Sequence, residues 1–188
     1  MIVISATNRG SDRKPSDFYA TPIEVVENFL HNYDLPSGDI LEPSAGNGNI
    51  VQAIKNMDKS RLVTALELRK EEYNNLAQIA DEVIIQNYLE WDTNRKFDVI
   101  IGNPPYSLAL EFANKSLGLL SERGVLILLL RTAFLESKSR YRFWQKNPLS
   151  GLYTLSKRPS FTGKGTDATS YSWFVWDKRT SKQEIKII

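Results

Sequence analysis

Two near-continuous apolar runs, residues 99–101 and 125–130, constrain the fold of this chain most. Neither reaches the ~20 residues a membrane helix needs. Neither alternates with polar residues, so each suits a strand covered on both faces. Such strands need helices above and below the sheet, and the remaining sequence supplies them. Thr21-Pro22-Ile23-Glu24 reads as a helix start, with Thr21 as cap, and Ile23, Val26, Phe29 and Leu30 keep helical spacing to about Asn32. Strands are expected over 39–41, 62–66, 82–85, 97–101 and 124–130. Helices are expected between them over 50–57, 70–80 and 108–120, with a basic helix over about 138–146. Strands 152–156 and 171–176 have no helix between them and should form an antiparallel hairpin at one edge. The pattern predicts an α/β fold: a Rossmann-like, mostly parallel seven-stranded sheet with helices on both faces. Residues 1–17 read as a flexible arm, and 18–188 as a single domain.

In an open α/β sheet a ligand sits beyond the carboxyl ends of the strands, near the point where strand order reverses. Three unusual segments fall at such ends. The first contains Gly46-Asn47-Gly48, a turn that lets backbone approach a ligand closely. A dinucleotide fingerprint would need a further glycine where Val51 stands, so a ligand without a pyrophosphate fits better. The second is Glu67, a carboxylate at a strand end that can accept both hydroxyls of a ribose. The third is Asn103-Pro104-Pro105-Tyr106. Its prolines fix the backbone and remove two N–H donors. The Asn103 side-chain oxygen and the Pro104 carbonyl remain as acceptors able to take both hydrogens of an amine. Tyr106 offers a flat face for stacking. The chain has no cysteine and one histidine, His31, which leaves no thiolate or zinc site and reads as a surface residue.

At these residues the sequence resembles the class I S-adenosylmethionine-dependent amino-methyltransferases, specifically the adenine-specific DNA methyltransferases. The resemblance runs from about Phe18 to Trp176. It implies that Tyr19-Ala20-Thr21-Pro22 touches the methionine end of S-adenosylmethionine, through Tyr19 and Thr21. The first glycine-rich motif is matched by Leu41-Glu42-Pro43-Ser44-Ala45-Gly46-Asn47-Gly48, placing Glu42, Pro43, Ser44, Ala45, Gly46 and Gly48 around the cofactor. Glu67 matches the acidic ribose ligand, and Leu68 beside it and Asn103 also fall among the cofactor-binding residues. Asn87-Tyr88 stands where the family usually has an acid and an aromatic against the cofactor's adenine. The tetrapeptide Asn103, Pro104, Pro105 and Tyr106 matches in full as the catalytic motif. Arg158-Pro159-Ser160-Phe161 resembles the last motif, whose aromatic packs on the extruded target base. Lys164, between Gly163 and Gly165, would reach a phosphate or simply mark a hairpin tip.

The resemblance implies methyl transfer to the N6 amine of adenine in DNA, with the base flipped out of its stack and no metal. Charge agrees with a polyanionic partner. Residues 1–124 hold 12 Lys and Arg against 18 Asp and Glu; residues 125–188 hold 12 against 4. On charge alone a solvated basic face explains this equally well. Few residues follow the last expected strand, which suggests loose site specificity or targeting by a protein partner, as in compact phage-like enzymes of the cytoplasm. Other acceptors of the same chemistry are an RNA base or a protein glutamine. A non-catalytic cofactor- or nucleic-acid-binding module is the reading from a different class.

Overall fold

Residues 20–161 and 168–188 are described by the computed structural model. The expected arm over 1–17, Tyr19 and Lys164 lie outside them. The elements run in chain order: α1 (Ile23–Asn32), β1 (Ile40–Glu42), α2 (Asn49–Met57), β2 (Val63–Glu67), a short α3 (Tyr73–Leu76), β3 (Glu82–Ile85), β4 (Phe97–Gly102), α4 (Ala109–Leu119), β5 (Leu120–Arg131), α5 (Tyr141–Lys146), β6 (Gly151–Thr154), β7 (Tyr171–Asp177) and β8 (Glu184–Ile187). They build one sheet in the order β3-β2-β1-β4-β5-β7-β6-β8. Only β7 runs against the others, pairing antiparallel with both β5 and β6.

The apolar runs behave as expected because both of their faces are covered. Along β5, Val125, Ile127 and Leu129 enter a core with α1, α2 and α3, through Val26, Phe29, Ile50, Ile54 and Leu76. The alternate residues Leu126, Leu128 and Leu130 enter a second core with α4 and α5, through Phe112, Ala113 and Phe143. Each such buried aliphatic side chain contributes roughly 1.5–3 kcal/mol of transfer free energy.

Four expectations are corrected. Among the described residues the sheet has eight strands, because Glu184–Ile187 adds a strand parallel to β6. The β6–β7 pair is therefore not the edge; β7 is inserted between β5 and β6, and β8 closes that side. The helix expected over 70–80 shrinks to a 3-10 turn at Lys70–Glu72 and a single turn of α3, since only Leu76 finds a buried place. Thr21 does not cap α1: Pro22 stands at the cap position with no side-chain hydrogen bond there. The Thr21 hydroxyl has another use, described below. No helix among the described residues is long and apolar enough to cross a membrane.

Candidate active site

Strand order reverses at β1. The chain moves outward from β1 to β2 and β3, then crosses back to β4 on the other side. The crevice left between the carboxyl ends of β1 and β4 opens into a cleft of about 820 Å³, counting the solvent at its mouth. Thr21, Glu42, Pro43, Ser44, Ala45, Gly46, Glu67, Leu68, Asn87, Tyr88, Asn103 and Pro105 all line it. Five segments distant in sequence thus converge as the motifs suggested.

One wall is the loop from β1 to α2. It is anchored to β2 by Ala45 N–H donating to the Leu66 carbonyl (2.9 Å). Gly46 and Gly48 both take positive φ, 57° and 85°. Gly48 does not line the cleft, and a Cβ there would lie 2.5 Å from Ile79 Cδ1. Its positive φ is a conformation that favours glycine. Gly102 serves the site differently. A Cβ on it would lie 3.1 Å from Pro43 Cδ, so the missing side chain lets this loop sit against the strand that leads into Asn103.

Two carboxyl groups face the cleft. Glu42 is buried and accepts from Val51 N–H at 3.2 Å. Burial holds its pKa well above the usual carboxylate range, helped by the charge of Glu67 and opposed by the Val51 hydrogen bond. A cation placed beside Glu42 would favour its ionised form. Glu67 is more heavily engaged. Its Oε2 accepts from Gly46 N–H (2.7 Å), and its Oε1 accepts from both the backbone N–H (3.0 Å) and Nε (2.9 Å) of Arg69. Arg69 also pairs with Glu72 at 3.3 Å. A carboxylate offers about four acceptor sites, and three are used. A ribose diol can use both oxygens only if the Arg69 guanidinium gives way.

The end of the cleft beside Leu68 and Asn87 has an apolar surface. Leu68 is 56% exposed beside Leu66, Ile50 and Phe112. Tyr88 is buried, its hydroxyl joined to Ser116 Oγ at 2.8 Å. The Asn87 carboxamide is held locally, accepting from Leu89 N–H (3.1 Å) and donating to Glu90 (2.8 Å). The residues present fit S-adenosylmethionine. The cleft offers a flat apolar region for a ring, a carboxylate with one acceptor site left, and a buried carboxyl toward the other end. The Ser44 hydroxyl is also buried with no hydrogen-bond partner among the described residues.

The opposite wall is the tetrapeptide. Asn103 Nδ2 donates to the Thr21 hydroxyl at 3.0 Å, and Asn49 Nδ2 donates to the Thr21 carbonyl at 2.8 Å. The residue expected to cap α1 instead orients the asparagine. With Nδ2 committed, Asn103 Oδ1 is left buried and without a hydrogen-bond partner among the described residues. Leaving a buried acceptor unmatched costs about 1–3 kcal/mol, a cost that a ligand donor would remove.

Tyr106 does not line the cleft. Its ring packs against Tyr171 (centroids 5.5 Å apart, planes at 43°), and the Arg131 guanidinium sits over it at 5.2 Å. Burial above all keeps its hydroxyl pKa well above the ordinary tyrosine value, so it stays protonated. Phe161 meets the same Tyr171 edge-on at 5.0 Å, so the two aromatics singled out in the sequence share one buried support. Arg158 is exposed nearby in sequence, outside the cleft. Sequence reasoning missed Arg69, Arg131 and Tyr171. Arg69 stands two residues beyond a singled-out acid, but no spacing rule marks the other two.

Residues 46–115 match the family model of the Eco57I restriction-modification methylases. The chain is 29% identical over 101 residues to the type II methyltransferase M.CvrRI of Paramecium bursaria Chlorella virus XZ-6E, covering 50% of this chain and 26% of that one. It is 30% identical over 83 residues to the type II methyltransferase M.AccI of Acinetobacter calcoaceticus, covering 42% and 15%. The matched part thus spans about a quarter or less of these relatives' length. Among solved structures, a candidate class I S-adenosylmethionine-dependent methyltransferase of Listeria monocytogenes superposes with a TM-score of 0.69 at 14% identity, covering 89% of this chain and 65% of that one. The fold is that of the class I S-adenosylmethionine-dependent methyltransferases, and the family and relatives support the resemblance to adenine-type DNA methyltransferases.

Proposed function

We propose that this chain, with a class I methyltransferase fold and a resemblance to the adenine-type DNA methyltransferases, methylates the N6 amine of adenine in DNA. One observation carries the reading. At the wall of the cleft, Asn103 is clamped through Nδ2 to Thr21, so that its Oδ1 is presented as a buried acceptor, unmatched among the described residues. An acceptor fixed in this way is suited to a donor that arrives with the substrate, and an exocyclic amine is such a donor.

S-adenosylmethionine, when bound, supplies an electrophilic methyl group. Glu42 and Thr21 would hold its methionine end, Glu67 its ribose, and Leu68, Asn87 and Tyr88 the region of its adenine. The remaining work falls to this chain's own groups. Asn103 Oδ1 and the Pro104 carbonyl accept the two amine hydrogens, which turns the nitrogen lone pair out of conjugation with the ring and toward the cleft. Orientation of this kind is the main source of acceleration available here, since no strong base is placed at the amine among the described residues. A target adenine must leave its stack to reach Asn103, which costs a few kcal/mol in a duplex. The rings of Tyr106 and Phe161, backed by Tyr171, are where that cost would be offset.

The test is methyl transfer from labelled S-adenosylmethionine to unmethylated single- and double-stranded DNA, bulk RNA and a protein extract, with product nucleosides identified by mass spectrometry. N6-methyladenine in DNA is the expected product. Label confined to RNA or protein would keep the chemistry and replace the substrate; label nowhere would leave a binding module. Asn103→Ala should abolish transfer while leaving the cofactor dissociation constant within about twofold, as expected for a group that acts on the amine alone.

A further inference from the structure

Several guanidiniums among the described residues are already engaged. Arg69 is paired with Glu67 and Glu72, Arg95 with Glu82, and Arg179 with Asp177. Arg140 is bound to the backbone carbonyls of Ala133, Phe134 and Glu136. Arg131 is different. It ends β5, one strand over from the strand that delivers Asn103, and its side chain is exposed. No carboxylate or carbonyl bonds its guanidinium among the described residues; its one defined contact there is the ring of Tyr106, 5.2 Å away. Its cross-strand neighbour on β7 is Tyr171, the buried ring that supports both Tyr106 and Phe161. A cation with no counter-ion among the described residues is thus laid across the aromatic of the catalytic tetrapeptide.

We propose that Arg131 grips a backbone phosphate of the nucleic-acid strand that carries the target base, and that its resting place over Tyr106 is given up when it does so. The inference rests on the reading of this site as one that methylates a base in a polynucleotide. A planar guanidinium suits this task because it can give two parallel hydrogen bonds to one phosphate. The weak attraction to an aromatic face holds the side chain in position without a competing carboxylate. Leaving that face uncovers Tyr106 for the incoming base. Phosphate capture and exposure of the stacking surface are then one motion of one side chain.

The experiment uses single-stranded oligonucleotides with one adenine, in which the phosphates flanking that adenine are replaced one at a time by neutral methylphosphonate. In the wild-type protein one replacement should raise KM about tenfold, and Arg131→Ala should raise it equally with the cofactor dissociation constant unchanged. Combining the two should add little beyond either alone. Arg131→Lys should recover the salt dependence of binding, whose slope falls by about 0.7 in Arg131→Ala, but only part of KM, because a point charge cannot reproduce the two-pronged contact. An unchanged KM in Arg131→Ala, a loss confined to kcat, or fully additive effects at every position would overturn the proposal. Absence of transfer to any oligonucleotide by the wild-type protein would instead overturn the reading on which it rests.

Discussion

The two walls of the crevice are built from opposite materials. The wall formed by the ends of β1 and β2 is acidic, and its carboxyl groups are already hydrogen-bonded. Glu67 is saturated on one oxygen by Arg69 and held on the other by Gly46, and Glu42 is tied to Val51. At the opposite wall the end of β4 leaves Asn103 Oδ1 buried and unbonded among the described residues, and behind it, outside the cleft, the ends of β5 and β7 set Arg131 on the ring of Tyr106. The same division runs through the sequence, where acids outnumber bases up to residue 124 and bases outnumber acids from residue 125 onward. A wall whose shape is set by its own hydrogen bonds binds a ligand of constant structure with little rearrangement. A wall with unmatched groups waits for a partner that brings its own donors and charges.

The variants that test this contrast differ in size. Beyond the loss expected for Asn103→Ala, the largest effect belongs to Thr21→Val, which removes the hydroxyl that holds Asn103 Nδ2. Turnover should fall about a hundredfold, the usual consequence of misplacing a reacting group by about 1 Å, with a smaller change in cofactor affinity. Single-turnover kinetics with saturating cofactor would check it; an undiminished rate would mean that the clamp is not what orients Asn103.

Next in size is Glu42→Gln, which changes the matched wall. Cofactor binding should weaken about tenfold, or about 1.4 kcal/mol, as read by titration calorimetry. Thermal stability should move the other way. The pKa of Glu42 is raised above its ordinary value of 4.5, so the fold favours the neutral carboxyl. That contribution is complete below about pH 4.5 and is lost as pH rises through the folded-state pKa. Glutamine removes the loss, so the variant should melt above wild type at pH 8 and level with it at pH 4. Melting curves that stay parallel across this range would show that Glu42 is already ionised in the free protein.

The smallest effect is expected from Arg69→Ala. Freeing Glu67 Oε1 gives the ribose a second acceptor, and cofactor affinity should rise about two- to fivefold, within the ~0.5–1.5 kcal/mol of an ordinary hydrogen bond. Weaker binding would mean that the guanidinium holds Glu67 in place rather than competing for it.

Much of this arrangement is legible in the amino-acid sequence alone. The runs at 99–101 and 125–130 mark the central strands because burial on two faces leaves no polar positions. The prolines and glycines at the strand ends locate the crevice because they are poorly suited to strand interiors. Other features are hidden for definable reasons. Strand β8 is only Glu-Ile-Lys-Ile, with Ile185 and Ile187 exposed, so no apolar run betrays it. The 70–80 segment carries helical residue types but only one buried anchor, Leu76, and tertiary packing decides such cases. Thr21 satisfies every local rule for a helix cap, but a contact 82 positions away takes its hydroxyl instead. The partnership of Arg131, Tyr106 and Tyr171 depends on which strands are neighbours, which no local pattern encodes.

That neighbour order also has a bearing on how the molecule is made. Because β7 lies between β5 and β6, the hydrophobic strand β5 gains its second neighbour only when residues 171–177 have been synthesised, and β6 must wait beside it. At about 5–20 residues per second, the stretch from Arg131 to Tyr171 takes roughly 2–8 s to emerge. Through that interval the most apolar strand of the nascent chain has one open edge, a template for pairing with another chain. Closing the sheet, rather than forming its first half, should be the slow and aggregation-sensitive stage of folding.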